Sequence, residues 1–577
     1  MQSPKLWLQS KYAPPLFFAL VSLALAAPLL IKWNYIGVGD WELFVTMAAV
    51  PARTIEYYHQ FPFWNPYLGG GNILFAHPEV GVLSPFFLLI LLFGPIAGIK
   101  IKMLLAFFLG LWGTHLFARR LSLSRSSAAL AALTYFGSSY FAAHFSIGHV
   151  PFTHFCFLPW FLYCVLRAGS DRRFVLAAAA AVALIIVGNG AAVPFLYTAF
   201  FSGVFLILSI IFEKTPWRYL KYYLTAIIIG LLLAAVKFIP MLYYLSRNQW
   251  EGMPNDVTPL SLLPRIFLST DQALFQTVGS GQYWGWHEYS AYLSPVVIIL
   301  AVYALAMRFR RCRLWLILAL FFLVFGLGGF SGWSLWSLIT ALPGFESIRA
   351  PSRAFQFVVL PVAMMAGIGL DYLTERLRSA PAVFRLVAPL AIAVVLISNY
   401  LVNLPNLELI AYKKPAEKQF HEDFRHVIGD KHEIYDLFLE NRGSLMAPWL
   451  SAYKESRALV TPDNQVMMEY VLAGRVRSLD GRYTPNRVEY RISPVSDGTI
   501  IFGIGYDEGW HAADGRPVFE KNGLVAAGFE SHDERIILEY RAPLFWTGLI
   551  ISFVTLLGCL LILFNGQLRE RYEAILK

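Results

Sequence analysis

At 577 residues, 57% hydrophobic and only 15% charged, with a mean hydropathy of +0.54, the chain carries too little polar surface for a soluble body of its size. The net charge of +10 is divided among short clusters between apolar segments, the pattern of cytoplasmic loops, and this excludes a continuous basic face for nucleic acid. Cys156, Cys164, Cys312 and Cys559 lie in or beside apolar segments, with neither a disulfide framework nor metal-type spacing.

The first apolar segment, 13–31, follows Lys5 and Lys11 and contains Ala24-Leu25-Ala26, which resembles a cleavage site. The run continues past Pro28 through Ile31, so an uncleaved anchor is expected, with Asp40 emerging on the far side. Further spans are expected at 98–117, 127–143, 151–167, 174–188, 193–212, 220–239, 293–307, 314–330, 355–373, 386–402 and 544–564, about twelve transmembrane helices in all. The segment 82–97 is short and holds Pro85 and Pro95. If it lies flat, the basic clusters Arg119-Arg120, Arg172-Arg173, Arg310-Arg311, Arg376 with Arg378, and Arg569 with Arg571 all fall inside, as the positive-inside rule demands. Both termini are then cytoplasmic.

The chain reads as a multi-pass α-helical membrane protein. Its transmembrane module, 1–402, has outer loops at 32–97, 240–292 and 331–354. An extracytoplasmic domain of α+β or β-sandwich type covers 403–543, and 544–577 is a final helix with a cytoplasmic tail. From about 475 the outer domain alternates apolar and polar residues, with turns at Asp480-Gly481, Asp497-Gly498 and Asp514-Gly515.

Polar chemistry collects on the outer side. Asp40 and Glu42 follow the first span, beside Trp41 and Trp33, where partial desolvation raises a carboxylate's basicity and suits it to accept a proton from a hydroxyl. An interfacial helix cap is the bland account of the same residues. Phe61 to Asn72, with Trp64, Asn65 and three consecutive glycines, offers rings and open backbone on which sugar rings could pack, or else an ordinary structured loop. Arg349 and Arg353, four apart before a span, and Arg247 at a helix end suit an anionic headgroup, whether of a substrate or of a phospholipid. Glu79, His149, His287 and Glu288 complete the set. None has convincing metal spacing, so a divalent metal is left open and none is assigned. His144, His149 and His154, five apart, share no helix face and read as interfacial or core histidines.

The order of span, Gly39-Asp40, Trp64-Asn65-Pro66-Tyr67-x-Gly-Gly, interfacial helix and Arg119-Arg120 resembles the YfhO-like family of bacterial membrane proteins, within the GT-C glycosyltransferase superfamily. Pro240 with Ser246-Arg247, Trp286-His287-Glu288-Tyr289, Arg349-x-Pro351-x-Arg353 and Gly509-Trp510-His511 continue the likeness along nearly the whole chain. The resemblance implies a GT-C-type, polyprenyl-phosphate-sugar-dependent glycosyltransferase of the bacterial cytoplasmic membrane. It implies inverting transfer to a cell-envelope glycan, lipid or protein acceptor, among membrane lipids. Asp40 takes the position of the general base. Arg349, Arg353 and Arg247 would hold the donor phosphate, and Glu42, Trp64, Asn65, Glu79, His149, His287 and Glu288 would line the cleft. A lipid-linked saccharide transporter would spread charges through mid-membrane, and a non-catalytic envelope-assembly scaffold would tolerate loss of Asp40.

Overall fold

The computed structural model describes residues 12–247, 256–273, 284–342, 344–345, 348–430, 433–445, 460–461 and 465–576. The α-helices of seven residues or more as far as Phe564 and the main-sheet strands are numbered in chain order, and one more α-helix, Gly566–Ile575, follows them. The helices are α1 (Ala13–Leu25), α2 (Trp41–Glu56), α3 (Phe87–Phe93), α4 (Pro95–Arg120), α5 (Arg125–Phe136), α6 (Ser139–Ser146), α7 (Phe157–Arg167), α8 (Arg173–Val187), α9 (Pro194–Glu213), α10 (Arg218–Leu233), α11 (Ala235–Arg247), α12 (Pro295–Gly326), α13 (Gln356–Arg376), α14 (Pro381–Glu408) and α15 (Phe545–Phe564).

Among the described residues six helical stretches are long and apolar enough to cross a membrane: Pro95–Arg120, Val150–Arg167, Pro194–Glu213, Pro351–Ser379, Val383–Ala411 and Phe545–Phe564. The pair α10 and α11, bent by 85°, makes a seventh if taken as one span. This marks the chain as a membrane protein, with fewer full-length spans than the twelve expected.

The differences have local causes. The expected 13–31 span breaks after Leu25, because Pro28 opens a second short helix, Ala27–Ile31. The 127–143 span breaks at Gly137-Ser138 into α5 and α6. The carbonyls loosened there are capped from α14: Asn399 donates to Leu133 O at 2.9 Å and Asn403 to Gly137 O at 2.9 Å. Broken helices are tolerated at membrane depth where neighbouring protein satisfies the backbone in this way. Span 174–188 appears as α8, fifteen residues long.

The expected spans 293–307 and 314–330 are the arms of α12, which folds back at Arg308 (φ −138°). Tyr303 stacks on Tyr372 and Arg308 pairs with Glu375, whereas Phe322 and Gly326 return to Phe357 and Phe355. The exposed Arg308, Arg310 and Arg311 form the turn. Segment 82–97 carries only the seven-residue α3, too short to span, with Leu88, Leu92 and Phe93 exposed.

Besides a short parallel pair, Arg425–Val427 with Arg442–Ser444, the described residues of the outer domain hold a main sheet of six strands: β1 (Glu469–Thr484), β2 (Arg487–Gly505), β3 (Trp510–Ala512), β4 (Val518–Lys521), β5 (Leu524–Phe529) and β6 (Arg535–Tyr540). They form one sheet, in the order β3-β6-β2-β5-β4 with β1 also on β2, in place of the two stacked sheets of a sandwich. The long β2 pairs with β6 in its first half and with β5 in its second, and bulges in the β1–β2 ladder bend it. Both halves therefore turn side chains into one core, including Val488, Tyr490, Phe502, Val525, Phe529 and Leu538.

The first outer loop docks this domain. Arg53 donates to Phe438 O at 2.5 Å and lies 3.6 Å from that ring's centre, and Tyr67 Oη donates to Asn441 at 2.7 Å. Gly505 N–H donates to Gly70 O at 3.0 Å. From below, the buried ammonium of Lys237, beside the α10–α11 break, donates to the carbonyls of Phe75 and His77.

Candidate active site

Asp40 sits at the N-terminus of α2, at the end of a turn that only glycine accommodates easily. Gly39 has φ +66°, and a Cβ there would meet the Ile147 side chain at 2.5 Å. Gly148, φ +93°, passes so close that a Cβ would lie 2.5 Å from Trp41 N. The Trp41 indole N–H donates to Phe145 O (3.1 Å) and Ser146 O (3.0 Å), and Asp40 N–H to Ile147 O (2.8 Å). The start of α2 is thus fixed against the end of α6, and residues 147–149 turn back over it.

That turn creates a chain of ionisable groups. Asp40 Oδ2 lies 3.2 Å from His149 Nε2, with the Asp40 side chain 32% exposed. His149 Nδ1 lies 2.8 Å from His144 Nδ1, and His144 Nε2 lies 3.7 Å from Glu288. Both Glu288 oxygens take the Arg353 fork, at 2.8 and 2.5 Å. Phe152 stacks on His144 with centroids 4.1 Å apart, and Arg353 lies 5.2 Å from the same ring. His287 presents its edge to both histidines.

Proton counting constrains this chain. Three contacts link Asp40, His149, His144 and Glu288, and two neutral imidazoles bring only two ring protons. With both carboxylates ionised, one contact sets two lone pairs against each other unless a further proton or a cation enters. His144, His149 and Glu288 offer ligand atoms within 4.8 Å of one another, so these three could hold a metal ion. The facing Nδ1 atoms would first have to part, since two ligands at ordinary metal–nitrogen distances of ~2.0–2.1 Å stand further apart than a hydrogen-bonded pair.

Electrostatics tie two further residues to the cluster. Burial raises the half-buried Glu79 carboxyl above its ordinary value, against the charges of His149, Arg349 and Arg353 and with that of Asp40. Burial lowers the Arg349 guanidinium to about 10, the charge of Arg353 adding to the effect and Glu79 opposing it, so Arg349 stays cationic at neutral pH. Burial likewise lowers His287, to about 4. At Glu288 burial acts upward, but the Arg353 fork and the neighbouring histidines outweigh it and hold the carboxyl well below the usual range. Glu79 also lines a narrow cleft of about 50 Å³ whose other walls are largely apolar, among them Phe44, Met47, Phe86, Phe87 and Ile90.

The structure therefore gathers Asp40, Glu79, His149, His287, Glu288, Arg349 and Arg353. Arg353, its side chain 12% exposed, is committed to Glu288, and Arg349 is half-buried beside it in the charged cluster. Four expected cleft or phosphate residues lie elsewhere. Glu42 is buried on another face of α2, accepting from Lys413 at 3.0 Å and from Tyr435 N–H at 3.0 Å. Burial raises the Glu42 carboxyl, and these hydrogen bonds oppose the rise. Trp64 packs against Trp510 and Tyr540 of the sheet domain. Asn65 is buried, its Oδ1 accepting from Tyr67 N–H at 2.9 Å. Arg247 pairs with Glu508 at the domain's edge. His144 is the residue that sequence spacing set aside. A five-residue interval does not align two helical side chains, and it took the Gly148 turn to bring the rings together.

No family model matches the chain, and no curated protein matches it. Among solved structures it is similar to ArnT from Cupriavidus metallidurans in the apo state, at 13% identity over 77% of this chain and 87% of that one, with a TM-score of 0.48. The same protein bound to undecaprenyl phosphate gives 14% identity, the same coverage and a TM-score of 0.46. The Archaeoglobus fulgidus oligosaccharyltransferase in the apo form gives 13% identity over 76% and 65%, with a TM-score of 0.43. TM-scores below 0.5 leave these as likenesses of arrangement that carry no functional conclusion. The YfhO-like resemblance drawn from the motifs has no matching family model behind it.

Proposed function

We propose that the chain is a GT-C-type membrane glycosyltransferase of the bacterial cytoplasmic membrane, moving a sugar from a polyprenyl-phosphate donor to an extracytoplasmic cell-envelope acceptor. One observation carries the reading. A partly exposed carboxylate on a histidine, Asp40, shares a charged cluster with Arg349 and Glu79, and Glu79 opens onto an apolar cleft. A lipid phosphate needs those two surroundings side by side, a cationic seat for its head and apolar walls for its chain.

In this reading Asp40 accepts the acceptor's hydroxyl proton as the oxygen attacks the anomeric carbon. The bond from that carbon to the phosphate oxygen breaks, its electron pair leaves with the lipid phosphate, and the anomeric configuration inverts. Arg349 faces the growing phosphate charge, because guanidinium remains protonated and forks onto two oxygens. His149 steadies the Asp40 carboxylate, and the Arg353–Glu288 pair fixes the far end of the histidine chain. The termini lie inside and the 403–543 domain outside, as the basic loops require.

The test is incorporation of labelled sugar into envelope material by cells producing the protein, with Asp40→Asn as the decisive variant. Transfer should be abolished at unchanged expression and thermal stability. Near-normal transfer by that variant removes the base assignment.

A further inference from the structure

A second cavity, of about 200 Å³, lies away from Asp40 where the outer end of α11, the Asn72–Ile73 strand with Ala76, and the sheet domain meet. We propose that it binds one pyranose unit of the acceptor glycan, carrying hydroxyl or free amino groups and no carboxylate. The word acceptor rests on the function proposed above, but the sugar site itself stands on the cavity.

The volume sets the scale. It falls below the ~300–1,000 Å³ of ordinary small-molecule pockets and suits a single ring. Tyr243 and Tyr506, both half-buried, supply aromatic surface, to which the axial C–H groups of a pyranose are complementary. Asp507, Glu508 and Glu520 supply three carboxylates against the one guanidinium of Arg247, so the lining carries a formal excess of two negative charges. That excess favours hydroxyl and ammonium donors and repels uronic acids.

The polar groups are held in place. Asp507 accepts from Gly509 N–H at 2.8 Å and from Tyr540 Oη at 2.9 Å, and Glu508 takes Tyr243 Oη at 2.5 Å together with Arg247. Trp64 is 2% exposed, and its indole N–H has no acceptor among the described residues. That nitrogen stands beside Gly71, where a Cβ would come within 2.9 Å of it. Gly71 adopts φ +105° and lines the same cavity, and its lack of a side chain lets the backbone pass close to the indole.

The cavity also lies within reach of the cluster. Ala76 lines it and Glu79 lines the other cleft. Three residues span at most roughly 11 Å of chain, so the walls of the two cavities are close neighbours.

The experiment uses the full-length protein in lipid nanodiscs. It is titrated with glucosamine tetrasaccharide, its N-acetylated counterpart and tetragalacturonate, and read by calorimetry and tryptophan fluorescence. The two hexosamine probes should bind, with tetragalacturonate at least about tenfold weaker. Tyr506→Ala should weaken binding about tenfold, and Glu520→Gln should narrow the preference for the free amine. Glu520 is exposed, so its variant is the safe one where Tyr506→Ala fails to fold.

No binding of any probe at about 10 mM overturns the proposal. So does tightest binding of tetragalacturonate, or binding indifferent to both substitutions. Asp40→Asn should bind the hexosamine probes unchanged. Transfer that persists without any sugar binding refutes this cavity alone, whereas sugar binding with full transfer by Asp40→Asn refutes the catalytic assignment alone.

Discussion

Asp40 and Glu42 are two residues apart, and their surroundings are opposite. Glu42 is closed in by Lys413 and the Tyr435 backbone, so both its oxygens are engaged and it works as a fastener between the first outer loop and the outer domain. Asp40 has one histidine and an exposed edge. A buried carboxylate with both oxygens engaged by protein holds a structure and has little left for a substrate. The same division runs along the loop. Around Trp64 it is a docking strap, whereas toward its two ends Asp40 and Glu79 share the charged cluster.

The contrast can be broken in order of expected size. Asp40→Asn should lower transfer by about 10²–10⁴, the usual worth of a positioned base, with the melting temperature unmoved. An equal loss from Glu42→Gln, once stability is matched, would erase the distinction. Trp64→Ala should do the reverse, destabilising the outer domain by about 3–5 kcal/mol through the cavity it leaves. Limited proteolysis of 403–543 reads that loss directly. Arg349→Gln should weaken undecaprenyl phosphate binding about tenfold, measured by native mass spectrometry from nanodiscs. An unchanged affinity would move the phosphate seat elsewhere.

Glu42→Gln should cost about 1–2 kcal/mol of stability, less than a fully buried pair because Lys413 is 39% exposed. The smallest effect concerns pH. His287 titrates near 4 in the fold against 6.5 when unfolded. Between those values the unfolded chain binds the proton that the folded one refuses, so stability falls as pH drops from about 6.5 to about 4 and His287 adds no further loss below that. His287→Asn should flatten that part of a melting-temperature profile, and an unaltered profile would show that the ring is not held neutral.

Much of the near side of the site could be read from the chain alone. Asp40 and His149 lie at the starts of helices and Arg349 just before one, and helix ends are visible in hydropathy. What stayed hidden depends on partners far away in sequence. Glu42 differs from Asp40 only once Lys413 and Tyr435 arrive, and Trp64 is buried only once Trp510 packs on it. His144 needed a backbone reversal at Gly148 that its spacing from His149 argued against. The excess of expected spans has a similar origin. Hydropathy registers apolar length, and Asn399 and Asn403 make breaks affordable where nothing local announces them.

Lys237 holds the carbonyls of Phe75 and His77 from beneath, at the joint where α10 gives way to α11. The peptide it grips runs between Ala76, in the wall of one cavity, and Glu79, in the wall of the other. One side chain on the bent helix pair therefore braces a short peptide that contributes to the walls of both cavities.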